Sequence, residues 1–147
     1  MNVEALFDAS ALVNIIRQHG SGALDLVEGG YILTLTPYEI GNAIWKEAVL
    51  LNRINTDEAA KLLDQVSVVY NYMKTVVPRD QEKTLQVAAA LRVTYYDASY
   101  ITSASELNTI LVTDDGKLLK IIEEKEAKLS RILGKTLDAI TSNAYQT

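Results

Sequence analysis

The stretch NTILVTDDG, residues 108–116, contains the clearest β-strand in the chain. Residues 109–113 are almost all β-branched or apolar, and Asn108 and the Asp-Asp-Gly turn mark the two ends of the run. An uninterrupted apolar strand is typical of a parallel sheet that is covered on both faces by helices. Helix-like sequence follows from Lys117 to Leu129, so this stretch predicts a strand-helix unit of an α/β fold.

The same alternation of strand and helix runs through the rest of the chain. Strands are predicted at 3–7 and 31–35, and residues 130–140 have room for a further short strand and helix. Residues 92–96 are expected to form a turn or a short extended piece. Helices are predicted at 9–20, 21–28, 36–52, 57–77, 80–91, 97–106 and 117–129. The pattern predicts one domain over 1–147, a three-layer α/β/α sandwich around a mainly parallel sheet, without fixing the strand order.

Composition excludes several classes of protein. Apolar residues make up 48% of the 147, but no run approaches the roughly 20 that a membrane-spanning helix needs. The N-terminal residues lack the basic stretch of a secretory signal, so a cytoplasmic protein without membrane contact is expected. The absence of Cys excludes disulfides and thiolate chemistry, and His19 is the only imidazole.

The charge of the chain argues against tight, non-specific binding to nucleic acid. Fourteen basic and 19 acidic residues give a net charge of −5 and a pI near 4.9. A basic surface of the kind that binds polyanions is therefore not expected. Any contact with a phosphate backbone has to rest on local Lys and Arg side chains.

Acidic residues recur where a strand-like run passes into a helix-like run. They are Asp8, Glu39, Asp97 and the pair Asp114 and Asp115. In a parallel sheet these junctions gather along one edge, where α/β folds bind ligands. Clustered carboxylates must take up protons, find cations or bind a metal, and an oxygen-only site favours Mg²⁺ or Mn²⁺ and phosphate chemistry.

A structural interpretation of the same acids stays open. Thr36, Pro37 and Glu39 have the spacing of a helix capping box, and Thr94 precedes Asp97 in the same way. Caps act one at a time and have no reason to converge, so convergence separates the two interpretations. Glu39 also shares a helical stripe with Asn42 and Lys46, where Lys46 either contacts a phosphate or pairs with an acid.

Four segments of the chain together resemble the PIN domain family, and within it the VapC-type toxin ribonucleases. They appear in the family's order as FDASALVN at 7–14, TPYEIGNAIWK at 36–46, YYDASYITSASELN at 95–108 and LVTDDGKLL at 111–119. The resemblance implies a PIN-like fold and a metal-dependent endoribonuclease that leaves a 5′-phosphate and a 3′-hydroxyl. It also implies a cognate antitoxin, a homodimer and an RNA substrate.

The resemblance also implies roles for individual residues. The catalytic acids would be Asp8, Glu39, Asp97 and Asp115, with Thr113 and Leu118 placing the family's T-x-D-x-x-L pattern on Asp115 and leaving Asp114 in the variable slot. Asp8, Asp97 and Asp115 would bind Mg²⁺ or Mn²⁺, and Glu39 would complete the shell or bind a second ion. Substrate contacts would come from Ser10, Asn42, Lys46 and Thr113.

Other functions compete with this one. A non-catalytic PIN-fold interaction module and a general RNA-processing nuclease both remain open. A receiver domain fits less well because the acidic pair is late in the chain, and no G-x-G-x-x-G follows the first strand as a dinucleotide-binding fold requires. Trp45 lies off the apolar stripe of its helix, so a helix–helix or subunit contact is open for it, and core packing is favoured over base stacking. For the apolar far end of the helix predicted at 57–77, burial within the monomer is favoured over contact with a partner.

Overall fold

The computed structural model describes residues 4–146 and contains a five-stranded parallel sheet. The strand order is β3-β2-β1-β4-β5, and each neighbouring pair is parallel. The strands are β1 (Ala5–Phe7), β2 (Tyr31–Leu33), β3 (Lys74–Val76), β4 (Ile110–Val112) and β5 (Ala139–Ile140). Val3, the first residue of the first predicted strand, lies outside the described residues.

Helices cover both faces of the sheet. They are α1 (Ala9–His19), α2 (Ala23–Val27), α3 (Thr36–Trp45), α4 (Thr56–Tyr70), α5 (Gln81–Leu91), α6 (Tyr95–Leu107), α7 (Gly116–Glu124), α8 (Glu126–Leu133) and α9 (Ser142–Gln146). Side chains along the strands alternate between two cores, since Phe7 packs with α1, α3 and α4 whereas Leu6 packs with α5, α6, α7 and α8. The predicted three-layer α/β/α sandwich is confirmed.

One predicted helix is too long and hides a strand. The helix predicted at 57–77 ends at Tyr70, and Lys74–Val76 forms β3, which pairs in parallel with β2. The pairing starts at the Gly29-Gly30 turn, where the Gly29 N–H donates to the Tyr72 carbonyl at 3.0 Å and the Lys74 N–H to the Gly30 carbonyl at 2.8 Å. Hydrogen bonds to a distant segment therefore override the helix-like apolar pattern.

Other element boundaries also differ from the prediction. The helix predicted at 36–52 is α-helical only to Trp45 and continues as a π-helical segment over 46–50. Helix α6 begins at Tyr95 instead of Asp97, and the helix predicted at 117–129 breaks into α7 and α8 at Lys125. The short strand predicted within 130–140 is confirmed as β5.

Burial also corrects the packing expected for the apolar helices. Trp45 is 49% exposed, so core packing, which the sequence favours over base stacking, is wrong, and a subunit contact stays a prediction. At the far end of α4, Val66 and Val69 are buried but Val68 is 56% exposed. Within residues 4–146, no helix has the length and apolar character needed to cross a membrane.

Candidate active site

Asp8 follows the last residue of β1 and is held at both carboxylate oxygens. The Ser10 hydroxyl donates to Oδ1 at 2.7 Å, and the Ala11 N–H donates to the same atom at 2.9 Å. The Thr113 hydroxyl donates to Oδ2. The bond from Ala11 makes Asp8 the N-cap of α1, so capping and site geometry use the same side chain. Only 7% of Asp8 is exposed.

Glu39 is positioned by a tyrosine that the sequence did not point out. The Tyr100 hydroxyl donates to Glu39 Oε1 at 2.6 Å and lies 2.8 Å from Thr36 Oγ1. Because its one proton goes to Glu39, the hydroxyl of Thr36 donates to Tyr100. The available signal was that Tyr100 follows Asp97 by three residues and so shares its helix face.

The capping box predicted at the start of α3 is wrong. The Glu39 N–H donates to the Leu35 carbonyl at 3.1 Å, and Thr36 Oγ1 accepts the Leu33 N–H at 3.0 Å. Thr36 is therefore buried beneath the helix start instead of capping it. The Glu39 carboxylate therefore takes no part in a cap; it lines the cavity and accepts the hydrogen bond from Tyr100.

Asp97 and Asp115 lie in or before the first turns of α6 and α7. The Asp97 N–H donates to the Thr94 hydroxyl at 3.0 Å, which confirms Thr94 as the cap of α6. Asp115 caps α7 by accepting the N–H groups of Lys117 at 3.0 Å and Leu118 at 3.2 Å. Both carboxylates reach the same cavity.

Asp114 has a different set of partners from its neighbour. Its carboxylate accepts hydrogen bonds from the Asn14 amide at 2.8 Å, from the Ser142 N–H at 2.8 Å and from the Ser142 hydroxyl at 2.6 Å. These bonds fix α9 against α1. The adjacent acids thus point in different directions, and Asp114 does not line the acidic cavity.

The predicted acids converge on one cavity of about 260 Å³. Its lining consists of Asp8, Ala9, Ser10, Val13, Glu39, Ala43, Asp97, Tyr100 and Asp115. Of the predicted substrate contacts, Ser10 lies in this lining and Asn42 lies in an adjoining cavity. Thr113 is fully buried, and Lys46 is exposed without an ion pair among residues 4–146.

Three carboxylates of this acidic cavity have raised pKa values. Burial raises the pKa of Asp8, an effect that the Ser10, Thr113 and Ala11 hydrogen bonds oppose. Burial also raises the pKa of Glu39; the Tyr100 hydrogen bond opposes this, and repulsion from Asp8 and Asp97 adds to it. The pKa of Asp97 is raised by burial and by Asp115. Mutual repulsion of this kind favours proton uptake or cation binding.

The donor set suits a hard divalent cation. The acidic side chains of the cavity offer carboxylate oxygens, which Mg²⁺ and Mn²⁺ prefer over sulfur or nitrogen. Among residues 4–146, no group of three or more acidic or histidine side chains is arranged to hold a metal ion by itself. Mg²⁺ commonly keeps several waters and uses one or two carboxylates together with substrate phosphate, so an open arrangement of acids is compatible with it.

Comparison with known proteins agrees with the fold. The sequence profile of the family described as PIN domain matches residues 5–140. The chain therefore belongs to the PIN domain family. The crystal structure of PAE2754 from Pyrobaculum aerophilum superposes with a TM-score of 0.72 at 32% identity, covering 97% of this chain and 85% of that one.

Curated relatives narrow the family to the VapC type. Exonuclease VapC9 of Pyrobaculum aerophilum is 39% identical over 119 residues, 81% of this chain and 86% of its own length. Ribonuclease VapC1 of Mycobacterium tuberculosis is 31% identical over 122 residues, 78% of this chain and 88% of its own length. The chain is a VapC-type PIN domain protein.

Proposed function

We propose that this chain is the toxin ribonuclease of a toxin-antitoxin pair and that it cleaves RNA internally with Mg²⁺ or Mn²⁺. The observation that carries the proposal is the convergence of Asp8, Glu39, Asp97 and Asp115 on one cavity. These acids lie on four separate elements, and the hydrogen-bonded caps at Asp8 and Asp115 do not by themselves require a shared cavity. VapC-type relatives named as ribonuclease and exonuclease support nucleic-acid hydrolysis as the chemistry.

Within this proposal each acid has a role in binding the ion. Asp8, Asp97 and Asp115 would hold it directly or through water, and Glu39 would complete its shell or hold a second ion. Divalent cations activate water and stabilise charge on phosphate oxygens during displacement at phosphorus. Water attack would leave a 5′-phosphate and a 3′-hydroxyl on the cleaved strand.

Hydroxyl groups around Asp8 hold its carboxylate in place. Ser10 and Thr113 donate to different oxygens, so the carboxylate cannot rotate without breaking a hydrogen bond. We assign Thr113 to positioning, since it is fully buried, and Ser10 to positioning and substrate contact, since it also lines the cavity. Partners of this kind typically change metal affinity or activity by about 10- to 100-fold when removed.

The exposed groups of α3 complete the proposed substrate contacts. Lys46 is free to neutralise a backbone phosphate because it has no ion pair within residues 4–146. Asn42, one helical turn earlier, is also exposed and borders the acidic cavity through the neighbouring Glu39. Both roles depend on RNA approaching along this face of α3.

The partners expected of a VapC-type toxin extend the proposal. An antitoxin that covers the acidic cavity and a homodimer both require surface that another chain can bury. Exposed apolar side chains follow one another at the end of α3 and in the π-helical segment, at Trp45, Val49, Leu50 and Leu51. Such a concentration is typical of protein contact surfaces. We place the protein in the cytoplasm, where its RNA substrates would be.

Internal cleavage can be tested with RNA that has no ends. We expect the purified protein to cut a circular single-stranded RNA in Mg²⁺ or Mn²⁺ and to stop when a chelator is added. Cleavage of linear RNA alone, with the circle left intact, would contradict the endonuclease assignment and favour an exonuclease. Cleavage that persists in chelator would contradict the metal requirement, and no cleavage of either RNA would favour a non-catalytic interaction module.

A further inference from the structure

A second cavity adjoins the acidic one. It has a volume of about 390 Å³, within the range of small-ligand pockets. Its lining is Leu35, Tyr38, Glu39, Asn42 and Tyr96. Glu39 belongs to both cavities, so a ligand that reaches the acids with one group can place the next group here.

Two exposed tyrosine rings flank this second cavity. Tyr38 is 83% exposed and Tyr96 is 61% exposed. Within residues 4–146, neither ring contacts another aromatic ring and neither hydroxyl makes a hydrogen bond. Each ring directly precedes a proposed catalytic acid in the sequence, Tyr38 before Glu39 and Tyr96 before Asp97. The rings are thus fixed to the same helix starts as the acids.

We propose that the second cavity binds a nucleobase of the RNA substrate next to the phosphate that is cleaved. Tyr38 and Tyr96 provide faces for stacking, and the Asn42 amide hydrogen-bonds the edge of the base. This inference rests on the proposed ribonuclease function. Single-stranded RNA is recognised largely by stacking of unpaired bases on aromatic side chains and by hydrogen bonds to their edges.

Charge and polarity favour a base over a protein side chain in this cavity. A net charge of −5 gives the chain little attraction for a phosphate backbone, so base contacts have to carry more of the affinity. The side-chain amide of Asn42 has no hydrogen-bond partner within the described residues, and an apolar side chain packed over it would leave that amide unsatisfied. A base offers both a flat face and polar edge atoms.

The inference is tested by binding of a short fluorescent single-stranded RNA in chelator, which separates affinity from cleavage. Tyr38→Leu and Tyr96→Leu should each weaken binding by about 5- to 150-fold, the range expected when one stacked base loses its ring. Tyr38→Phe and Tyr96→Phe keep the ring and should stay within about twofold of wild type. Tyr72→Leu, at a half-exposed tyrosine before β3, is the matched control and should not change the affinity.

Oligonucleotides that lack one base identify which base stacks on the rings of Tyr38 and Tyr96. Removing the base that occupies the cavity should weaken wild-type binding, and Tyr38→Leu or Tyr96→Leu should then add no further loss. Unchanged affinity in both Leu variants overturns the subsite alone if the wild type cleaves RNA. Loss of affinity that follows dissociation of a dimer, seen by sedimentation, assigns the rings to a second copy of the chain and also overturns it. A wild type that neither binds nor cleaves RNA overturns the proposed function together with the subsite.

Discussion

Asp8 combines a structural and a chemical role in one side chain. It caps α1 through the Ala11 N–H, yet its burial raises the pKa above the ordinary value of 3.8. Three hydrogen bonds fix the carboxylate without offsetting the cost of desolvation. A buried acid whose pKa is raised despite its hydrogen bonds is typical of a functional site, where a charge is held in position at the expense of folding stability.

The metal-free protein should be more stable with Asn at this position. The folded chain binds protons at Asp8 and Glu39 more readily than the unfolded chain, so stability falls as pH rises through the raised folded pKa values. Asp8→Asn removes one such charge and keeps a capping side chain. We expect the Tm in chelator at pH 7 to rise by about 2–4 °C, the shift that about 1 kcal/mol produces at this size.

Thermal unfolding at pH 5 and pH 7 checks this expectation. Wild type should be more stable at pH 5 than at pH 7 because the pKa values of its buried acids are raised. Asp8→Asn should reduce that difference. Asp64→Asn, at an exposed acid of α4, serves as the control and should leave the Tm unchanged. A lower Tm for Asp8→Asn at pH 7 would show that its hydrogen bonds outweigh its desolvation.

Tyr100 acts on catalysis through Glu39. Its hydrogen bond lowers the pKa of Glu39 against the stronger effect of burial, so Tyr100→Phe should raise that pKa further. We expect the acidic limb of the pH profile of kcat/KM to move to higher pH, and cleavage at pH 7 to fall about tenfold. Tyr31→Phe, which removes a hydroxyl bonded to Glu4 at the opposite edge of the sheet, is the control. Superimposable profiles for Tyr100→Phe and wild type would contradict the positioning role.

At the scale of elements, the junction between β4 and α7 separates two adjacent acids. Asp115 caps α7 and faces the acidic cavity, whereas Asp114 fastens α9 through Ser142. The resemblance to the family's T-x-D-x-x-L pattern predicts Asp115, but the sequence could not indicate the role of Asp114, because its partners lie 28 and 100 residues away. The local sequence pattern predicts a capping acid, and only the folded chain shows that Asp115 lines the acidic cavity.

Paired substitutions distinguish the two acids. Asp115→Asn keeps a capping oxygen, so the fold should be retained while cleavage falls by about 100-fold or more. Asp114→Asn should instead cost about 1 kcal/mol of stability through its weakened bonds to Ser142 and Asn14, with cleavage largely retained. Cleavage assays and chemical denaturation of both variants measure this. The reverse pattern would move the fourth acid to Asp114.

The strand β3 shows where prediction by element fails. Val76, its one apolar residue, extends the apolar pattern of α4, and the break at Tyr70 depends on pairing with β2 and on the Gly29-Gly30 turn. Strand β4 was predictable because its apolar run and its flanking turn residues are both local. Sequence periodicity identifies helices and strands whose own residues carry the pattern. It misses a strand that forms only because it pairs with a neighbouring strand.

At the scale of the whole molecule, parallel topology explains why the acids could be predicted from sequence. Strands that all point the same way place their following residues along one edge, whatever the strand order. Asp8, Glu39 and Asp115 come after β1, β2 and β4 in this way and needed only the strand-helix alternation, whereas Asp97 lies in α6, which follows α5 and not a strand. Tyr100 could not be assigned in this way, since its contact with Glu39 spans 61 residues and depends on how α3 packs beside α6.

The most direct test of the central claim is cleavage of single-stranded RNA by Asp97→Asn in Mg²⁺. Thr94, and not Asp97, caps α6, because the Asp97 N–H donates to the Thr94 hydroxyl, and Asn keeps a side-chain oxygen at position 97. We expect the variant to fold as wild type does by circular dichroism and thermal unfolding, and to lose cleavage by at least about 100-fold. Wild-type rates of cleavage from the folded variant would contradict the assignment of the acidic cavity as the active site.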